Sequence, residues 1–310
     1  PILALPLTGI MLFTVFPILF MILVAFTNYD GAHDGYSNLF TWVGMDNWNS
    51  MLFSSGGSDS VSYAFGEILT WTLIWAFFAT FTNYFLGMVV ALLINKKGIK
   101  LKKLWRTVLI LTIAVPQFVS LLLINQMLSG SGLLTNIFRE FGWIGAGGET
   151  FDNVLLARII IIIVNMWVGV PYTMLICSGL LMNIPEDLYE SAKIDGASAF
   201  KMFTSITLPY MLFITGPYLL SQFIGNINNF NIIYLLSQGK PSMSLSSMGY
   251  GDVGETDILI TWIYKMSMEG QTKNYAVACA LGVLVFIIIA IFSLISYGRS
   301  NAVKNEGDFQ

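Results

Sequence analysis

The chain has 310 residues, 55% of them hydrophobic and only 11% charged, with a net charge of -3. A soluble domain carries about 25% charged residues, so too few charges remain here to cover a core in water. With a mean hydropathy of +0.72, the composition specifies an integral membrane protein. It excludes a disordered chain, a secreted disulfide scaffold and a basic nucleic-acid binder. Both cysteines, Cys177 and Cys279, fall inside apolar runs and read as small buried hydrophobes.

A membrane span needs about 20 mostly apolar residues. Stretches 2–26, 68–94, 105–128, 154–182, 210–236 and 275–297 meet that test, predicting an all-α protein with six transmembrane helices. The first is too long for a signal-peptide core and has no small-residue cleavage site, so it reads as a retained span. Lys96, Lys97, Lys100, Lys102, Lys103 and Arg106 cluster between the second and third spans, whereas 28–66 has aspartates and no Lys or Arg. The positive-inside rule then puts the lysine cluster in the cytoplasm, with both termini. The expected organisation is a first span over 1–27, an extracytoplasmic loop over 28–66, a membrane core over 67–298 with a cytoplasmic loop at 183–209, and a cytoplasmic tail over 299–310. The Gly- and Ser-rich stretches 54–62 and 129–132 read as loops. Within 239–273, residues 257–268 have the pattern of an amphipathic helix on or near the outer membrane surface.

No Asp, Glu, Lys, Arg or His lies at the centre of any predicted span; Glu67 and Arg158 mark outer ends. Proton-coupled carriers need ionisable groups at depth, and membrane-embedded enzymes need an acid, base or metal ligand there. His33, the sole histidine, falls in an outer loop, and there is no phosphate-binding loop, so any ATP must be bound by another polypeptide. The spans hold neutral polar residues and helix breakers instead. Pro116, Pro171 and Pro217 interrupt three of them. Tyr218, Gln222, Asn226 and Asn229 line one helix face, and Asn165, Gly169 and Tyr172 form a second stripe. Such amides serve either hydrogen bonding between helices or a pathway for a neutral, hydroxyl-rich solute, to which tyrosine adds an apolar face.

Between the fourth and fifth spans, Pro185, Glu186 and Asp187 suit the first turn of a short helix that Gly196 stops. A second helical piece over about 199–205 makes this a helical hairpin. The spacing Glu190-x-Ala192-x3-Gly196-x9-Ile206-x-Leu208-Pro209 resembles the EAA loop of ABC importer permeases, with Ser191 where the family most often has Ala. The runs 26–30 and 43–48 resemble carbohydrate-uptake permeases. Those at 165–172, 225–230 and 254–259 resemble the larger permease of maltose and maltodextrin transporters.

The resemblance implies a type I ABC importer permease, with Glu190, Ser191, Ala192, Asp195, Gly196, Ala197, Ile206, Leu208 and Pro209 coupling it to an ATPase. It implies a sugar site at Val168, Gly169, Tyr172, Gln222, Gly225, Asn226 and Asn229. Gln222 stands where the relatives have serine, and Gly225 where they have an aromatic ring. The expected assembly pairs this chain with a second homologous permease, two cytoplasmic ATPase subunits holding ATP and Mg, and an extracytoplasmic solute-binding protein. It sits in the cell membrane and takes up maltodextrin-like oligosaccharides by alternating access, without chemistry or a bound metal on this chain. The alternatives are another neutral glycan or polyol, such as a galacto-oligosaccharide, or an ion-coupled secondary sugar carrier.

Overall fold

The computed structural model describes residues 3–34, 39–54, 60–96, 98–243, 253–269 and 273–299. Lys97 and the expected tail from 300 lie outside the described residues, as do parts of the loops at 54–62 and 239–273. Among the described residues all regular structure is helical, with two isolated bridges, Thr27 to Trp42 and Ser242 to Gly254.

Helix α1 covers Ala4–Val24, α2 Asp46–Phe53 and α3 Val61–Asn95. At about 1.5 Å per residue, the 35 residues of α3 reach well beyond a bilayer core about 30 Å thick. The predicted span 68–94 is thus its apolar middle, and Glu67 falls inside the helix. Next come α4 (Lys102–Ala114), α5 (Gln117–Leu128), α6 (Leu133–Glu140), α7 (Val154–Leu181) and α8 (Glu186–Ile194). Helix α9, Ala199–Met202, continues through a π-helical turn, Phe203–Thr207, into α10, Leu208–Ile227. The second arm of the expected hairpin is therefore the start of a long helix and not a separate piece. Last are α11 (Phe230–Leu236), α12 (Leu259–Met268) and α13 (Tyr275–Arg299). Five described helices are long and apolar enough to cross a membrane, and six if α4 and α5 count as one span.

That pair is bent by 86°. The three prolines expected to interrupt spans differ in effect. Pro171 and Pro217 sit inside continuous helices, whereas Pro116 breaks the chain. Val115 before it is extended, at φ -79 and ψ 128, because the proline ring disfavours a helical conformation in the residue it follows.

The contacts divide the chain into two compact units. The first holds Pro1–Leu73, Gly148–Ala157 and Ile227–Phe292; the second holds Ile74–Gly147, Arg158–Asn226 and Ser293–Gln310. In the first, Asn47 Nδ2 donates to the carbonyls of Ala25 (2.9 Å) and Thr27 (2.7 Å). That satisfies backbone acceptors beyond the end of α1. Phe26 stacks on Trp42 at 5.3 Å, so the runs 26–30 and 43–48 meet in space. Helix α12 forms where sequence expects it but does not lie on a membrane surface. Leu259, Trp262 and Met266 are buried in a core with Trp48, Met51, Ile68 and Leu281. Its polar side is buried too. Lys265 Nζ reaches Asp257 Oδ2 at 2.7 Å and the Gln238 carbonyl at 2.7 Å. Asp257 also accepts from the Thr261 hydroxyl (2.8 Å) and the Gly254 N–H (2.8 Å). Burial pushes the Asp257 carboxyl up from its usual range, and Lys265, Thr261 and Gly254 draw it back down. Gly239, at φ +82, passes so close that a Cβ would strike both charged groups.

Candidate functional site

In the second unit, α3, α7 and α10 pack through Tyr84, Met88, Met174, Cys177 and Met211. Polar groups tie the same helices together. Tyr84 and Thr215 share a hydroxyl hydrogen bond of 2.7 Å. Asn226 is buried; its Nδ2 donates to Thr80 Oγ1 at 2.9 Å, and its backbone carbonyl accepts from Trp75 Nε1 at 3.0 Å. Asn165, also buried, donates to the Ala79 carbonyl at 3.3 Å. Gly169 sits where α7 meets Asn83, so closely that a Cβ would collide with the Asn83 amide. Interhelical bonding therefore occupies part of the predicted stripe.

The other stripe residues stand differently. Gln222 is half-buried and lines, with Thr80, Asn83 and Tyr218, a cleft of about 10 Å³. The Asn83 Oδ1 there is buried and has no hydrogen-bond partner among the described residues. Gly225 is exposed, with nothing near a Cβ position. Asn229 follows α10 in a non-helical conformation, φ -80 and ψ 79, and begins α11. Val168 and Tyr172 line a larger cavity of about 350 Å³ at the α4–α5 break. It is bounded also by Thr112, Val115, Pro116, Gln117, Ser120 and Trp167, and none of its lining residues is charged. Periodicity missed Thr112, Gln117, Ser120 and Trp167, because these residues share no helix-face pattern. The one signal was Pro116.

The predicted coupling residues form a small exposed device. Helix α8 starts after Pro185, with Glu186 and Asp187 in its first turn, where carboxylates favour the helix dipole. Gly196, at φ +76, ends it. Its N–H donates to Lys193 O (3.0 Å) and the Ala197 N–H to Ala192 O (2.8 Å), the paired bonds of a Schellman motif. A Cβ on Gly196 would meet open space, so the glycine is needed for φ and not for packing. Tyr189 and Thr207 share a 2.8 Å hydrogen bond that fastens α8 to the start of the long helix. Glu190, Ser191, Asp195 and Pro209 are exposed; Ala192, Ala197, Ile206 and Leu208 are half-buried. Beside them Leu188, Ile194 and Phe200 are exposed, Ile194 at 86% and Phe200 at 75%. So much apolar surface on a short, firmly capped helix marks an interface.

A family model described as "Binding-protein-dependent transport system inner membrane component" matches residues 83–300. The galactooligosaccharides transport system permease protein of Bacillus subtilis is 36% identical over 294 residues, 94% of this chain and 67% of that protein. The maltodextrin transport system permease protein MdxF of the same organism is 36% identical over 298 residues, 94% of this chain and 66% of its own length. The maltose/maltodextrin permease of Vibrio vulnificus is 33% identical over 269 residues, 85% of this chain and 49% of that protein. The chain thus spans about half to two thirds of the length of these relatives. A solved bacterial ABC transporter, involved in the import of the acidic polysaccharide alginate, has the same fold. It superposes with a TM-score of 0.68 at 22% identity, over 97% of this chain and 94% of that one.

Proposed function

Since the chain belongs to the family of binding-protein-dependent transport system inner membrane components, we propose that it is the permease subunit of an ATP-driven importer taking up a neutral oligosaccharide. The observation that carries this reading is the hairpin. Helix α8 is capped at Gly196, fastened through Tyr189 and lined with exposed Leu188, Ile194 and Phe200. A stand-alone carrier has no partner for that surface, whereas an ATPase subunit moving against it transmits force to α10 through an unbroken run of helix from Ala199. Two such ATPase subunits, holding ATP and Mg, a second homologous permease and an extracytoplasmic solute-binding protein complete the assembly. The lysine cluster and the hairpin then face the cytoplasm, and 28–66 faces outward.

The substrate class rests on the second unit. Its polar groups are amides, hydroxyls and aromatic rings without charge, which suits hydroxyl-rich solutes and repels none by sign. Relatives named for galactooligosaccharides and for maltodextrin stand at the same 36% identity, which supports a neutral oligosaccharide as the class. The sugar contacts are Val168, Gly169, Tyr172, Gln222, Gly225, Asn226 and Asn229. Purification from native membranes tests the assembly: the chain is expected to bring down a second permease and an ATPase. Recovery of the intact chain alone, across mild detergents, would overturn the reading.

A further inference from the structure

We propose that the cavity at the α4–α5 break is a second glycosyl subsite, which holds the next ring of an oligosaccharide whose first ring meets the Gln222 and Asn226 face. The inference rests on the sugar reading above and adds Thr112, Gln117, Ser120 and Trp167 to it. Three observations converge. The cavity, about 350 Å³, is at the small end of ligand pockets, which run from about 300 to 1,000 Å³; that suits a short saccharide segment. Its polar side chains are neutral, and the Gln117 amide and Ser120 hydroxyl make no side-chain hydrogen bond among the described residues. Finally, two prolines leave backbone acceptors at its edge. Each removes the N–H that a helix would give to the carbonyl four residues earlier. For Pro116 that carbonyl is Thr112's, for Pro171 it is Trp167's, and both residues line the cavity.

In an apolar surrounding such acceptors need donors, and sugar hydroxyls supply them. Gln117 offers both donor and acceptor, Ser120 a hydroxyl, and Trp167, 49% exposed, an indole face for the apolar side of a pyranose ring. Tyr172 lines this cavity and also belongs to the predicted stripe, so it joins the two subsites within one unit. Length preference follows. A short sugar fills the first subsite alone, and a longer one needs both.

The test is uptake by the complete transporter, reconstituted with its solute-binding protein, for malto- and galacto-oligosaccharides of increasing length. Gln117→Leu and Trp167→Ala should each lower uptake of the longer sugars roughly tenfold, as loss of one or two hydrogen bonds or a stacking face implies. The shortest transported sugar should stay within about twofold, because it does not reach the lost groups. Trp167→Phe, which keeps an aromatic face, should retain most long-chain uptake at equal protein level. Unchanged uptake at all lengths in both variants would overturn the subsite. So would an equal loss at every length, which marks a structural role. If the wild-type complex moves no neutral saccharide at all, the sugar reading itself fails and the subsite falls with it.

Discussion

The polar interior around Asp257 and the polar cavity around Gln117 are built from opposite logic. Around Asp257 and Lys265 every charge is spent: the carboxylate meets an ammonium, a hydroxyl and a backbone N–H, and the ammonium also meets a carbonyl. Around Gln117 no lining residue is charged, and an amide and a hydroxyl remain uncommitted among the described residues. Saturated polarity holds a fold together, because each group is costly only when its partner is lost. Unspent neutral polarity beside a cavity is what a passing solute can use. The second unit also shows both kinds side by side: Asn226 is committed to Thr80, whereas Gln222 faces a cleft.

The largest expected effect breaks the saturated region. Lys265→Met strands Asp257 in a site where the pair's side chains are 4% and 0% exposed, which should cost about 3–5 kcal/mol. Thermal unfolding in detergent, with protein level in the membrane, measures it. Adding Asp257→Leu should recover most of the loss; no recovery would mean the pair matters through more than its charges. Second comes the capping glycine. Gly196→Val forces a β-branched residue to φ +76, a strain of about 1–3 kcal/mol. The ATPase should be lost on co-purification while the spans still insert, and Gly196→Asn should keep it.

The third test separates spent from unspent amides. Asn226→Leu removes the Thr80 bond and should cost about 1–3 kcal/mol of stability along with uptake. Gln222→Leu should lower uptake with stability nearly unchanged. Equal destabilisation by both would erase the distinction. The smallest effect is at Gly225, which sits inside α10 with open space around it. Gly225→Ala should raise stability by up to about 1 kcal/mol through helix propensity alone, and a fall in melting temperature would contradict that surrounding.

Much of this was legible in the residues. Long apolar runs located the spans, and Glu186, Asp187 and Gly196 bounded α8 within a residue or so. The rest depended on context that a single chain position does not carry. Pro116, Pro171 and Pro217 look alike in sequence, yet only Pro116 turns the chain. Asp257 and Lys265 read as the wet side of a surface helix, because two charges eight residues apart give no sign of their partners. Gln117, Ser120 and Trp167 become neighbours only through the 86° bend, which brings the ends of α4 and α5 to α7.

The central claim, that this chain carries a neutral sugar under the drive of ATP, is tested most directly in proteoliposomes holding the full complex and its solute-binding protein. With ATP inside and no ion gradient, labelled oligosaccharide should accumulate. An imposed proton or sodium gradient without ATP should move none. Accumulation driven by either gradient in the absence of ATP would contradict the account and make the chain an ion-coupled carrier.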